Sequence, residues 1–272
     1  MNSDNLKNKV VIITGASSGI GRALAISFFK KGANLSLVAR SEQKLADLTD
    51  SISNLGGNAI YVVADVSNEV DCKKMIDTTL RKFGYIDILI NNAGISMRSL
   101  FNDLSLSDFK KIMNVNFYGT VYSTKYALEH ILSRKGSIIG ISSIAGHKGL
   151  PARSAYSASK FAMAGFLESI RIENLKKDLH VLIASPGFTA SKIRENAINS
   201  HGQTQQSSPR DENKMMTAEE VAEKIVIATI KRKNKLVLTF QGKLLVFLNK
   251  IIPSIVDKLV FKSLSKEKNS PF

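Results

Sequence analysis

Tyr156 and Lys160 stand four residues apart, and Ser143 precedes Tyr156 by 13 positions. On a helix, residues i and i+4 share a face, so this spacing sets an ammonium beside a phenol. A nearby positive charge favours phenolate and lowers a tyrosine pKa from its ordinary value of about 10. A phenol tuned toward neutrality can pass a proton to or from an oxygen atom. Ser143, at the close of an apolar β-like run, can hydrogen-bond that same oxygen. The three together suit the interconversion of an alcohol and a ketone. The Tyr-x-x-x-Lys spacing alone also describes an ordinary exposed helix pair; its weight comes from the other end of the chain.

There, the apolar run Lys9 to Ile13 leads directly into Thr14, Gly15, Ala16, Ser17, Ser18, Gly19, Ile20 and Gly21. Strand, glycine-rich turn and helix start follow one another. Glycines allow close approach to a pyrophosphate, and a helix N-terminus presents free N–H groups and a positive dipole end. The spacing is G-x-x-x-G-x-G rather than the commoner dinucleotide fingerprint G-x-G-x-x-G.

With these motifs in register, the chain resembles the short-chain dehydrogenase/reductase family, of the compact single-domain kind. The family's glycine turn matches Thr14 to Gly21, and its N-N-A-G motif matches Asn91-Asn92-Ala93-Gly94. Its catalytic asparagine matches Asn116, its serine, tyrosine and lysine match Ser143, Tyr156 and Lys160, and its P-G motif is Pro186-Gly187. The resemblance runs from about Asn8 to Thr239. It implies an oxidoreductase that moves hydride between a nicotinamide cofactor and a carbonyl or alcohol carbon.

The end of the second predicted strand bears on which cofactor. An acid there selects NAD through the ribose 2′-hydroxyl, and an arginine accommodates a 2′-phosphate. The chain reads Val38-Ala39-Arg40-Ser41, with Ala39 where NAD-using relatives carry the acid. Arg40 can pair with a phosphate through its fork of donors, and Ser17 can add a hydroxyl bond. The expectation is NADP(H). The resemblance further implies that Gly15, Ser18, Gly19, Ile20 and Gly21 cradle the cofactor. Asp65 and Val66 take the adenine, Asn92 approaches the nicotinamide ribose, and Asn91 ties strand backbones together. Pro186, Gly187, Thr189 and Ser191 lie near the carboxamide; Thr189 and Ser191 replace the family's usual aliphatic residue and threonine. Tyr156 and Lys160 also contact the cofactor in this scheme, and Asn116 kinks its helix and holds a water linking Lys160 to solvent. Residues that follow the fourth, fifth and sixth strands would face the substrate: Ser143, Ile95, Met97, Leu150 and Phe188, with Ser96, His147 and Arg153 beside them. Most are apolar, which points to a hydrophobic carbonyl. Arg153 faces either an anionic group or solvent. The reading from a different class is a non-catalytic NADP-binding sensor or scaffold; the full Asn-Ser-Tyr-Lys set argues against it.

The elements that must position these residues are legible as an alternation. Strand-like runs fall at Val10–Thr14, Asn34–Ala39, Ala59–Val63, Ile86–Ile90, Ser137–Ser142, His180–Ser185 and Lys235–Thr239. Helical patterns fall at Ile20–Lys31, Glu42–Asn54, Glu69–Phe83, Leu106–Ser133, Ala155–Lys177 and Ala218–Arg232. The alternation predicts an α/β fold: a doubly wound, Rossmann-like parallel sheet of seven strands with helices on both faces. Residues 1–240 form one dinucleotide-binding and catalytic domain. The polar, poorly periodic stretch at about 190–216 reads as a substrate lid.

The chain has 272 residues, 44% of them hydrophobic, which suffices for one well-packed core. Cys72 is the sole cysteine, and the four histidines lack ligand spacing, so neither an internal disulfide nor a metal site is expected. Residues Met1 to Asn8 show no signal-peptide core. A cytoplasmic location is expected. The formal net charge is +15. No nucleic-acid-binding motif accompanies it, so nucleic acid is not an expected partner. The charge concentrates at the end of the chain: residues 231–272 hold ten Lys or Arg against two acids, 10 − 2 = +8. Residues 241–272 form a basic amphipathic extension that Pro253 splits in two. Its apolar face either packs on the core or a second subunit, or lies on an anionic membrane surface. The resemblance also implies a homodimer or homotetramer built on the helices at Leu106–Ser133 and Ala155–Lys177.

Overall fold

The run Val10–Thr14 is apolar without alternation, and every residue in it is buried. A strand covered on both faces belongs inside a parallel sheet. The computed structural model, which describes residues 6–190, 192–208, 210–212, 215–267 and 269–272, places it there. Seven strands, β1 (Val10–Thr14), β2 (Asn34–Ala39), β3 (Ala59–Val63), β4 (Ile88–Asn91), β5 (Ser137–Ile141), β6 (His180–Ser185) and β7 (Lys235–Val237), pair in the order β3-β2-β1-β4-β5-β6-β7. Every pairing is parallel. The predicted fold class is the one observed.

Period-two alternation splits the core in two. Val11 and Ile13 point to a cluster that includes Leu24 and Phe28 of α1 (Gly19–Phe29), Leu45 and Leu48 of α2 (Glu42–Asn54), and Val221 and Ile225 of α7 (Ala218–Ile230). Ile12 points the other way. It joins Met75 of α3 (Glu69–Phe83), Ile131 of α5 (Gly119–Ser133) and Met163 and Leu167 of α6 (Ser154–Glu173). Helices therefore cover both faces. Local signals fix their ends. Asn68 accepts from the N–H groups of Val70 and Asp71 to start α3, and Gly84 stops it at φ 82°. Thr217 and Glu220 close a reciprocal capping box on α7.

The periodicity over Leu106–Ser133 predicts one helix, and the resemblance adds a kink at Asn116. The chain forms α4 (Leu106–Met113), a five-residue π-turn (Asn114–Tyr118) and then α5. A π-turn inserts one extra residue into the helix, and such turns gather at functional sites. This one carries Asn116 inward.

The sheet order reverses between β1 and β4. In doubly wound sheets the ligand crevice opens at that point, beyond the carboxyl ends of the strands. Past β7 the chain turns into α8 (Phe240–Ile251) and α9 (Pro253–Ser265), with Pro253 opening α9. Among the described residues no helix is long and apolar enough to cross a membrane.

Candidate active site

A cleft of about 620 Å³ lies over that crevice. Its floor is the glycine turn. Gly15 has φ +67°, a left-handed conformation, and a Cβ on Gly21 would lie 2.1 Å from the Gly15 carbonyl oxygen. The turn thus closes on itself more tightly than any side chain allows. Thr14 and Asn92 fix it to the end of β4. The Thr14 hydroxyl donates to the Ile90 carbonyl at 3.2 Å and accepts from the N–H groups of Asn92 and Ala93, each at 3.0 Å. The Asn92 amide donates to the carbonyls of Thr14, at 2.8 Å, and Gly15, at 3.3 Å. Asn92 borders the cleft, but its side chain does the tying expected of Asn91. Asn91 instead bonds Thr124 of α5 at 3.3 Å. Helix α1 starts at Gly19 and aims its free N–H groups into the cleft.

Ser17, Ala39, Arg40, Ser41 and Lys44 border the same end. Arg40 is exposed there and lies 3.8 Å from Asp65, a loose contact. The other Asp65 oxygen accepts from the Ser67 N–H at 2.9 Å and from its hydroxyl at 2.7 Å. Val66 borders the cleft beside it and backs onto Gly119, where a Cβ would lie 2.9 Å from a Val66 methyl. Cradle, helix N-terminus and cationic rim fit a phosphorylated dinucleotide.

Asn116, Ser143, Tyr156 and Lys160 converge at the other end. Asn116 is fully buried. It pairs with the Ile95 backbone as a strand would, accepting from the N–H at 2.8 Å and donating to the carbonyl at 2.9 Å. It also donates to Ser159 at 2.9 Å, whose hydroxyl donates to the Tyr156 carbonyl at 2.8 Å. Asn116 therefore braces α6 against the loop after β4. Ser143 opens a short 3₁₀ turn (Ile144–Gly146) and hydrogen-bonds Tyr156. Lys160 is only 3% exposed; its ammonium donates to the Ile141 carbonyl at 2.8 Å and lies 5.7 Å from the Tyr156 ring centroid.

The electrostatics correct one expectation. Burial holds the Tyr156 phenol above its ordinary value. The Ser143 hydrogen bond and the charges of Arg153 and Arg194 pull it down without reversing the direction, and Lys160 does not contribute. Burial also pushes Lys160 down, to about 8. A buried cation loses hydration and with it part of its preference for the charged form.

At the substrate end, Ile95, Ser96, Leu150, Arg153 and Phe188 border the cleft, and Pro186, Gly187 and Thr189 run along its edge. Met97 does not. It is wholly buried with Leu104, Ile112, Ala155 and Ile198, because its backbone bridges to Ile198 and turns the side chain inward. His147 is turned away as well, bonding Ser185 at 2.8 Å. The hydroxyl of Thr189 bonds the Gly187 carbonyl at 3.3 Å. Ser191 lies outside the described residues. From the stretch expected to be a lid, Lys192, Arg194, Asn196, Ile198 and Thr204 close one side. Arg194 is held there by Glu212 at 2.7 Å and by the Thr189 carbonyl at 2.5 Å.

A family model described as short chain dehydrogenase matches residues 9–201. The chain belongs to the short-chain dehydrogenase/reductase family. It is 45% identical over 192 residues to 11-beta-hydroxysteroid dehydrogenase-like 3 of Arabidopsis thaliana, covering 70% of this chain and 62% of that protein. It is 42% identical over 193 residues to 11-beta-hydroxysteroid dehydrogenase A of Arachis hypogaea, covering 70% and 55%. The chain thus spans only 62% and 55% of the length of these curated relatives. Among solved structures, a short-chain dehydrogenase/reductase from Burkholderia phymatum in complex with NAD superposes with TM-score 0.82 at 25% identity, covering 92% of this chain and 96% of that one. An alcohol dehydrogenase from Thermococcus sibiricus complexed with 5-hydroxy-NADP shares the fold, with TM-score 0.76 at 24% identity over 85% and 96%.

Sequence reasoning missed several residues of this cleft. Lys44 follows Arg40 by four residues, a readable signal. Glu267 had none beyond being a lone acid among lysines. It lies past α9, borders the cleft with its side chain 6% exposed, and contacts three arginines. These are Arg98 at 3.5 Å, Arg153 at 3.9 Å and Arg210 at 2.5 Å. The partner of Arg153 is thus the chain's own Glu267 side chain, just past α9. Arg210 also stacks on Phe188, 3.8 Å from the ring centroid.

Proposed function

We propose that the chain is an oxidoreductase that uses NADP(H) and reduces a hydrophobic ketone or aldehyde, with Tyr156 as the proton donor. The cofactor assignment is carried by one observation: at the end of β2 the cleft is bordered by Ala39, Arg40 and Lys44, so cations stand where an acid would select the unphosphorylated ribose. Ser17, Arg40, Ser41 and Lys44 would receive a 2′-phosphate. The glycine turn and the α1 N-terminus would take the pyrophosphate, Asp65 and Val66 the adenine, and Asn92, Lys160, Pro186, Gly187 and Thr189 would surround the nicotinamide half. When bound, the nicotinamide supplies or accepts the hydride.

The chain's own residues handle the oxygen and its proton. Ser143 and Tyr156 donate to the substrate oxygen as negative charge builds on it. Tyr156 releases its proton to that oxygen. Lys160, pinned by the Ile141 carbonyl, faces the phenolate that results. Asn116 holds α6 in register through Ser159. The substrate's apolar part rests on Ile95, Leu150 and Phe188, which supports a hydrophobic carbonyl compound. Assembly as a dimer or tetramer through α5 and α6 belongs to the same reading; the surface there exposes Phe161 and Ile172. A screen of NADPH consumption across aliphatic, aromatic, steroid and acyl-chain ketones tests the function. Turnover by wild type and a loss of about 10²–10⁴ in Tyr156→Phe is the expected result. Retained turnover in the variant removes Tyr156 as donor, and faster consumption of NADH than NADPH overturns the cofactor assignment.

A further inference from the structure

The helical hairpin α8–α9 is apolar on two sides. Its inner side is accounted for: Val256, Val260 and Leu264 pack on Leu245, Leu248 and Leu150. Its outer side is not. Phe240, Leu244, Phe247 and Ile251 fall at i, i+4, i+7 and i+11 on α8, one continuous stripe. Every member is exposed, Phe240 by 80% and Ile251 by 61%. Ile255 and Leu259 add an exposed pair on α9. A contiguous apolar face of this kind marks an interaction surface.

The charges beside it say what kind. Lys243, Lys250, Lys258 and Lys262 each follow a member of the stripe by three residues, so they line its border. Among the described residues, none of the four has an acidic partner. The one acid within the hairpin, Asp257, is already paired with Lys148. A second copy of this chain would bring an identical lysine border against this one, and like charges repel. An acidic protein would match the lysines but has no reason to present a broad apolar sheet between them. An anionic lipid surface satisfies both, with headgroups for the lysines and acyl chains for the phenylalanines.

We propose that the outer face of α8–α9 docks on an anionic membrane surface. The hairpin lies in the interface plane and does not cross it. Leu150, which the inner stripe covers, also borders the cleft, and Glu267 follows α9 directly into the cleft's arginine cluster. Docking therefore sets the substrate end of the cleft beside the lipid. This inference rests on the hairpin alone and does not depend on the cofactor or substrate assignment.

The test is co-sedimentation of the full chain with vesicles of phosphatidylcholine alone and of phosphatidylcholine with phosphatidylserine. Binding to the anionic vesicles, weakened by high salt, is the expected result. A lysine near an anionic surface contributes about fivefold to partitioning. Reversing Lys243, Lys250, Lys258 and Lys262 to Glu should therefore lower binding by at least about a hundredfold. Phe240→Ser with Phe247→Ser should also abolish binding while leaving the melting temperature and the turnover of a water-soluble ketone unchanged. Equal binding to neutral vesicles, or none to either, overturns the proposal. So does a concentration-dependent dimer in light scattering that the serine pair dissolves, since the occupant is then a second copy.

Discussion

Lys160 should cost the folded protein stability, and the cost should disappear in alkali. Its ammonium is 3% exposed and its pKa falls from 10.5 to about 8 on folding. That shift of about 2.5 pH units, at about 1.36 kcal/mol each, makes the buried charge a penalty of about 3 kcal/mol at neutral pH. Methionine has nearly the same length and no charge. Lys160→Met removes the penalty and loses the hydrogen bond to Ile141, worth about 1 kcal/mol. The variant should therefore be more stable than wild type by about 2 kcal/mol near neutral pH. Below about pH 8 both the folded and unfolded chains hold the proton, and the native state bears the full penalty. Between about 8 and 10.5 the native state releases the proton while the unfolded chain keeps it, so wild-type stability climbs relative to the variant. Above that window the penalty is gone and the hydrogen bond to a neutral amine remains. The variant's advantage should vanish and reverse slightly. Urea unfolding of both proteins near neutral pH and at about pH 10.5 gives the comparison, and other titrating groups cancel in the difference. A stability difference that stays constant across the window refutes the claim that Lys160 is charged, buried and uncompensated.

Four further outcomes are expected. Tyr156→Phe should lower turnover by about 10²–10⁴ with an unchanged melting curve, measured as NADPH oxidation with any accepted ketone. Arg40→Ala should raise the KM for NADPH by about tenfold to a hundredfold, the worth of a charged hydrogen bond, and leave that for NADH nearly unchanged; equal losses argue against a phosphate at Arg40. Gly21→Ala places a carbon 2.1 Å from the Gly15 carbonyl oxygen, so fluorescence titration should show no dinucleotide binding even where the chain folds. Glu267→Gln should destabilise the chain by about 3 kcal/mol, because a partly buried set of arginines loses its carboxylate; the loss should appear as a lowered urea midpoint.

The sheet and the grouping of Ser143, Tyr156 and Lys160 were legible because each rests on a local rule. Continuous apolar runs such as Val10–Thr14 can only be interior parallel strands, and a turn as crowded as Gly15 to Gly21 announces itself through glycine. What escaped depends on contacts across the chain. The π-turn at Asn114–Tyr118 arises because Asn116 finds the Ile95 backbone 21 residues earlier, and helix periodicity carries no trace of that. Met97 sits on the expected segment, but its bridge to Ile198 turns it into the core. Glu267 reaches Arg153 across more than a hundred residues. The direction of the Tyr156 shift was unreadable for the same reason: four-residue spacing reports a neighbouring charge, while burial is set by distant residues such as Met97, Ile112 and Ile198 that pack beside it.

That direction bears on how the proposed reduction would proceed. A phenol held above its ordinary value keeps its proton at neutral pH, which is the state a proton donor needs before the substrate oxygen becomes basic. Lys160 contributes little while Tyr156 is neutral, since a cation and an uncharged phenol interact weakly. Once the proton leaves, the phenolate faces an ammonium 5.7 Å from its ring. The interaction arises only as the reaction advances, and interactions of that kind accelerate a chemical step. The same low-dielectric burial that makes Lys160 expensive to fold is what gives its charge leverage at that moment. A more exposed lysine would be cheaper and, screened by water, a poorer partner for the phenolate.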